Sequence, residues 1–324
     1  MRAAEDEHDG GEGDPLVGSV LDELRKPLPR GVEPLVRAIR ERFGASLEAV
    51  VFYGSARRGD DLGETLADLL VVVDGYRRAY GRWAPALANA LLPPNVFYLE
   101  EHGGGDVEVR AKYALVSSRD LIRYTASHRL QVYFWGRFAQ PCRLAWRRDE
   151  EAEERLARTL AAAVRTFLGE TASLVRGSLP PEEIWAKGLT TCYGTELRTE
   201  DEGRARRIVE SEASVYRERT AAALKGSGCQ GLSWNDGRVD IDLSTWARFR
   251  GRMRWLVRKP HGKLLNLLRL LKAVFTFEGG VDYALWKIRR HSGVEVEVSD
   301  RVRRHPLLFA WPTLWRIYRA GGFR

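Results

Sequence analysis

The stretch that most constrains the fold is residues 49–74, AVVFYGSARRGDDLGETLADLLVVVD. An apolar run from Ala49 to Tyr53 ends in Gly54-Ser55. A polar loop follows, and a second apolar run opens at Asp68. Short runs rich in β-branched residues and bounded by turn residues read as buried strands. The expectation is strand, Gly-Ser turn, loop and carboxylate-bearing strand. Such a unit suits a nucleoside triphosphate. Gly54 lets backbone approach phosphate closely, and Ser55 offers an N–H and a hydroxyl to phosphate oxygens. Asp68 provides a hard oxygen ligand for Mg²⁺. Arg57 and Arg58 add positive charge to the loop. The same residues also read as an ordinary start of an α/β sheet, and the Gly-Ser pair alone does not separate the two.

The flanking sequence sets this unit in a mixed chain. Residues 1–15 are acidic and Gly-rich, and are expected to be disordered. Apolar positions at helical spacing over 16–43 are broken at Pro27, Pro29 and Gly31, which predicts two helices. A helix is expected from Arg77 to Leu92, ended by Pro93-Pro94, then a strand over Val96–Leu99. From Val107 to Lys112 the alternation is strict: Val107, Val109 and Ala111 face one way, Glu108, Arg110 and Lys112 the other. That charged face reads either as a solvated edge strand or as Lys112 over triphosphate with Glu108 near the metal. Helices are expected from Ser118 to about Arg129, over 150–176, from Glu182 and over Ile208–Leu224. Gly188–Arg198 reads as a polar junction, and 225–245 as a loop or β-hairpin. Trp135 reads as core more readily than as a base-stacking platform.

Charge is unevenly spread. Residues 246–324 hold 18 Lys and Arg against 5 Asp and Glu, a balance of +13, whereas the whole chain carries +8. A basic tail beside a mildly acidic body calls for an anionic partner: nucleic acid, a membrane surface or an acidic substrate. The tail repeats Arg at 248, 250, 252 and 254, which could form a strand with one basic face. Helices are then expected over about Lys263–Phe277 and Asp282–Arg290. The chain ends in PLLFAWPTLWRIYR from Pro306 to Arg319. Cys142, Cys192 and Cys229 have no metal-site spacing and leave an odd thiol, which fits a reducing compartment. No secretory leader and no membrane-spanning run are expected.

Taken in order, these motifs resemble one family. Tyr53-Gly54-Ser55 followed by the Asp68 strand resembles the nucleotidyltransferase fold, with Leu66 where the first of two aspartates would fall. A single aspartate is similar to the mitochondrial-type phosphatidate cytidylyltransferases. Lys112-Tyr113 matches that family's Lys-Tyr-Gly strand, with Ala114 replacing glycine. Tyr133, Gly136, Arg137 and Pro141 match Tyr-x-x-Gly-Arg-x-x-x-Pro. Gly188, Leu189, Tyr193 and Arg198 match a further turn, with Glu196 in place of an aspartate, and Tyr216-Arg217-Glu218 follows. The resemblance covers about residues 45–224. The loop ARRGDDLGE and the C-terminal region depart from it.

The resemblance implies an α/β (α+β) chain with a nucleotidyltransferase-fold mixed sheet over 16–148. A mainly helical second domain over 149–245 and a basic amphipathic membrane-docking region over 246–324 would follow. It implies the Mg²⁺-dependent reaction of CTP with phosphatidic acid to give CDP-diacylglycerol and diphosphate. Ser55, Asp68 and Lys112 would be catalytic. Tyr53, Gly54, Ser55, Lys112, Arg137 and Arg198 would bind nucleotide and phosphate, and Asp68 the metal. Arg137 and Arg198 read equally as inter-domain salt bridges, perhaps to Glu196 or Asp201. Asp60, Asp61, Glu64 and Glu108 are candidates for a second metal contact, although Asp60 and Asp61 read more simply as solvated loop. Trp311, Trp315, Arg316, Tyr318 and Arg319 have the composition of an interfacial segment. The expected setting is cytoplasmic, on the inner face of the cell membrane, with no nucleic-acid partner. The competing readings are transfer to another acceptor and a non-catalytic basic binding protein on a decayed transferase fold.

Overall fold

The computed structural model describes residues 13–63, 65–102, 108–126, 129–196, 202–225 and 229–276, together with Ser299. In chain order the first elements are helices α1 (Pro15–Leu24) and α2 (Val32–Phe43) and strands β1 (Leu47–Tyr53) and β2 (Leu66–Val73). Then come α3 (Tyr76–Tyr80), α4 (Trp83–Leu91), β3 (Asn95–His102), β4 (Glu108–Ser117), α5 (Ser118–Thr125), α6 (Tyr133–Phe138) and β5 (Arg143–Arg147). The remainder is α7 (Glu150–Ala172), β6 (Gly177–Leu179), α8 (Pro181–Tyr193), α9 (Glu202–Glu210), α10 (Ala213–Lys225), β7 (Leu232–Asn235), β8 (Arg238–Ile241) and α11 (Thr245–Thr276).

The chain divides into two compact units that interleave along the sequence. Within the described residues, the sheet unit draws on 26–123, 142–153 and 263–276, and the helical unit on 13–25, 124–141 and 154–262. The sheet unit is α/β, built on a five-stranded mixed sheet of order β3-β4-β2-β1-β5. β2 and β4 run parallel, and the other three pairs are antiparallel. One face carries the core. Val50 and Phe52 of β1, Leu69 and Val71 of β2, and Ala111, Tyr113 and Leu115 of β4 pack there with Phe97 of β3. α2 covers them with Val32, Leu35, Val36, Ile39 and Phe43, one stripe of a 3.6-residue period. Fully burying an apolar side chain of this size contributes about 1.5–3 kcal/mol, so the stripe holds α2 down.

β4 lies inside the sheet, between β3 and β2, so the solvated edge-strand reading does not hold. Its alternation does hold: Val109 and Ala111 are buried, Arg110 and Lys112 half-exposed and Glu108 exposed. The expected helix from Arg77 to Leu92 is instead two, parted at Gly81. The segment read as a polar junction is helix as far as Tyr193, where α8 ends. The helix expected over Ile208–Leu224 is two, α9 and α10.

The helical unit has its own core. Trp135 is fully buried against Phe167 and Trp255, with ring centroids 6.4 and 5.8 Å away. The 225–245 segment forms the hairpin β7–β8, joined through Asp236-Gly237, and β6 completes a three-stranded sheet. The alternate-arginine run is helix, not strand: it opens α11. Arg254 and Arg258 pair with Glu170 at 3.3 and 2.7 Å, and Arg248 donates to the Val175 carbonyl. Arg258 is fully buried, its guanidinium over the rings of Trp135 and Trp255. Arg248 and Arg254 of that run are therefore engaged within the unit, together with the buried Arg258.

Candidate functional site

The site grows from the second face of the sheet. Every β1 residue is buried, and β2 is buried except at Leu66 and Asp68, where its leading end opens to solvent on one face. Paired residues on neighbouring strands point to the same side. Tyr53 pairs with Asp68, Asp68 with Lys112, and Lys112 with Tyr98. A row of Tyr53, Asp68, Lys112 and Tyr98 thus crosses four strands. Lys112 Nζ lies 3.2 Å from Asp68 Oδ1, with both side chains about one-third exposed (32% and 30%).

Gly54 closes the end of the row. Its backbone (φ 82°, ψ −168°) lies where L side chains rarely go. A Cβ there would stand 2.9 Å from Asp68 Oδ2. The turn is therefore seated on the carboxylate, and Ser55 emerges exposed immediately after it. Gly54, Asp68 and Lys112 are brought together, with Tyr53 and Ser55 adjoining by register and by chain. Arg58 is exposed as expected, whereas Arg57 is buried and does not add to the loop's surface charge.

The remaining acidic candidates behave differently. Asp61 is held in loop structure: its Oδ1 accepts from Gly63 N at 2.9 Å, and its Oδ2 lies 3.9 Å from Arg30. Glu108 pairs with Arg110 and lies four residues along β4 from Lys112, roughly 13 Å of strand at about 3.3 Å per residue. It does not stand at Asp68. Glu64 is outside the described residues. Among the described residues no group of three His, Cys, Asp or Glu could hold a metal ion. Asp68 is the one carboxylate of the row that could serve as a ligand to a divalent cation such as Mg²⁺. That matches the least this cation takes, because it keeps several waters and draws its other ligands from substrate phosphates.

Sequence reasoning missed Tyr98 and Glu100. The Tyr98 hydroxyl donates to Glu100 Oε2 at 3.0 Å, and Glu100 Oε1 takes Arg110 at 2.9 Å. Burial and then the Glu100 charge push the Tyr98 phenol well above its ordinary range. The same parity on β3 (Val96, Tyr98, Glu100) was the available signal.

The helical unit gathers the other motif residues. Arg137 Nη2 donates to Glu196 at 2.7 Å, and its guanidinium lies 4.6 Å from the centroid of the Tyr133 ring. The expected salt bridge to Glu196 forms, but within one unit rather than between domains. The Tyr193 hydroxyl donates to Gln140 at 3.3 Å, and a Cβ on Gly136 would stand 3.0 Å from Cys192 Sγ. Arg198 lies outside the described residues, as do Trp311, Trp315, Arg316, Tyr318 and Arg319.

No family model matches the chain, and no curated protein matches it. Among solved structures, a nucleotidyltransferase-like protein from Exiguobacterium sibiricum aligns over 90% of this chain and 92% of its own. The identity is 12% and the TM-score 0.25, too low for the likeness to bear on function.

Proposed function

We propose that the chain is a nucleotidyltransferase that transfers CMP from CTP to phosphatidic acid, giving CDP-diacylglycerol and diphosphate. The observation that carries nucleotidyl transfer is the seating of the Gly54-Ser55 turn on Asp68, itself paired with Lys112. The lipid acceptor rests on the motif resemblance and on α11. In the proposed reaction a phosphate oxygen of the lipid attacks the α-phosphorus of CTP, and the bond to the bridging oxygen breaks as diphosphate leaves. The nucleophile is ionised at neutral pH, so no strong general base is required. What the protein must supply is positioning and charge neutralisation between two anions. The turn at Gly54 and Ser55 would take the β- and γ-phosphates, and Lys112 the charge growing on the leaving diphosphate. Mg²⁺, held by Asp68 and the phosphates, would supply Lewis-acid stabilisation of that charge.

A lipid substrate requires docking at a surface. α11 carries nine Lys and Arg and no Asp or Glu. Trp246, Phe249, Met253 and Leu256, spaced three, four and three residues, are all exposed, and Arg250, Arg252 and Lys259 are exposed beside them. An apolar stripe edged by cations is the composition of an interfacial helix. Each basic residue near an anionic leaflet contributes about 1 kcal/mol. No helix among the described residues is long and apolar enough to cross a membrane. The proposed setting is peripheral, on the cytoplasmic face of the cell membrane.

Thin-layer chromatography of α-labelled CTP incubated with phosphatidate liposomes and Mg²⁺ tests the reaction. Labelled lipid is expected from the wild type, with a loss of about 10²–10³-fold in Asp68→Asn. Absence of labelled lipid from folded wild-type protein would sink the lipid acceptor.

A further inference from the structure

We infer that Lys112 stands in for the metal at Asp68 in the nucleotide-free protein, so that a divalent cation is admitted only together with a nucleotide. The inference rests on reading the site as a triphosphate site. The two charges of the pair cancel at 3.2 Å. Lys112 and Asp68 are Cα partners across β2 and β4, so the ammonium is tethered opposite the carboxylate and cannot diffuse away. Asp68 Oδ1 faces that ammonium, and Oδ2 lies against Gly54. Nor does the neighbouring carboxylate offer Lys112 another resting place. Glu100 is already engaged by Arg110 and by the Tyr98 hydroxyl.

A bare cation would therefore meet one carboxylate whose charge is already matched, and an ammonium that repels it. A triphosphate changes both conditions. Its oxygens supply ligands that no group among the described residues provides, and they offer Lys112 a new counter-charge. The ammonium then passes from carboxylate to phosphate as the metal takes Asp68. The site selects the metal–nucleotide complex over either component.

The test uses Mn²⁺, which takes the same oxygen ligands, followed by electron paramagnetic resonance on the full chain without nucleotide or lipid. Lys112→Met is expected to bind Mn²⁺ about tenfold or more tightly than wild type, because removing the cation exposes the Asp68 charge. Adding Asp68→Asn to Lys112→Met is expected to abolish the gain. Lys112→Gln serves if the methionine variant does not fold by circular dichroism. Equal affinity in wild type and the single variant would overturn the inference, as would a gain that survives in the double variant. Neither outcome depends on the acceptor. Failure of lipid transfer leaves this measurement readable, and failure here leaves the transfer reaction standing.

Discussion

Gly54 is where backbone conformation and chemistry meet. Alanine there would be strained by the φ of 82° and would press a methyl group on Asp68 Oδ2. Gly54→Ala is expected to cost about 1–3 kcal/mol in denaturant melts and to reduce nucleotidyl transfer by about tenfold or more. Gly44 separates the two effects, having a positive φ with open space around it. Gly44→Ala should lower stability and leave transfer unchanged. Lys272 gives a pH-dependent expectation. Burial, and then Arg269, lower its pKa from 10.5 to about 7, while its Nζ donates to the Leu92 and Pro94 carbonyls. Between those two values the unfolded chain binds more protons than the folded one, so stability rises with pH across that window. Below it the penalty is fully present. Lys272→Met should therefore raise the melting temperature most at pH 6, with its advantage shrinking as the pH climbs toward 10.5. At this scale Gly54, Ser55 and Asp68 were legible because their spacing is local. Tyr98 was not, because its place beside Lys112 depends on β3 pairing with β4 in one register.

Among the elements, the crossing of α7 and α8 turns on a missing side chain. A Cβ on Gly188 would stand 2.4 Å from Phe167 Cζ and 2.6 Å from Thr171 Oγ1. Gly188→Ala is expected to destabilise by about 1–3 kcal/mol through overpacking. Gly169, exposed on α7 with nothing nearby, should respond with the opposite sign: alanine there gains up to about 1 kcal/mol of helix propensity. Paired calorimetric scans check both. The reading of Gly188–Arg198 as a junction missed this crossing because small and polar residues carry no periodic apolar signal. α11 misled for a related reason. Its buried face runs through Gly251, Trp255, Arg258 and Gly262, at spacings of four, three and four. Two glycines and an arginine give no hydropathy stripe, whereas arginines at every second place imitate the period of a strand. Only tertiary neighbours decide: Gly251 lies against Ser173 and Gly262 against Thr195, where any side chain would collide.

For the whole molecule, the sheet unit was largely legible. Its strands announce themselves as apolar runs, and β1 and β2, which flank the Gly54-Ser55 turn and bring Asp68 to it, lie close together in sequence. The interleaving of the two units was not legible, because contacts between distant segments leave no local pattern. In the proposed membrane docking, the exposed side of α11 is the face that would meet the lipid surface. Replacing Trp246, Phe249, Met253 and Leu256 by serine should abolish flotation with phosphatidate-containing vesicles. The thermal midpoint should hold, because these side chains are exposed. Raised salt should weaken wild-type flotation through screening. One property of the sheet carries a last consequence. Asp68 and Lys112 sit on β2 and β4, each paired along both edges, with β3 and β1 outside them. Interior strands open only in the highest free-energy fluctuations of a domain. Their amides should be among the slowest in the chain to exchange with deuterium, much slower than those of the loop at Asp60 and Asp61. Heating or mild denaturant would then leave the aspartate–lysine pair assembled until the sheet itself gives way, so that activity and fold are lost in one transition.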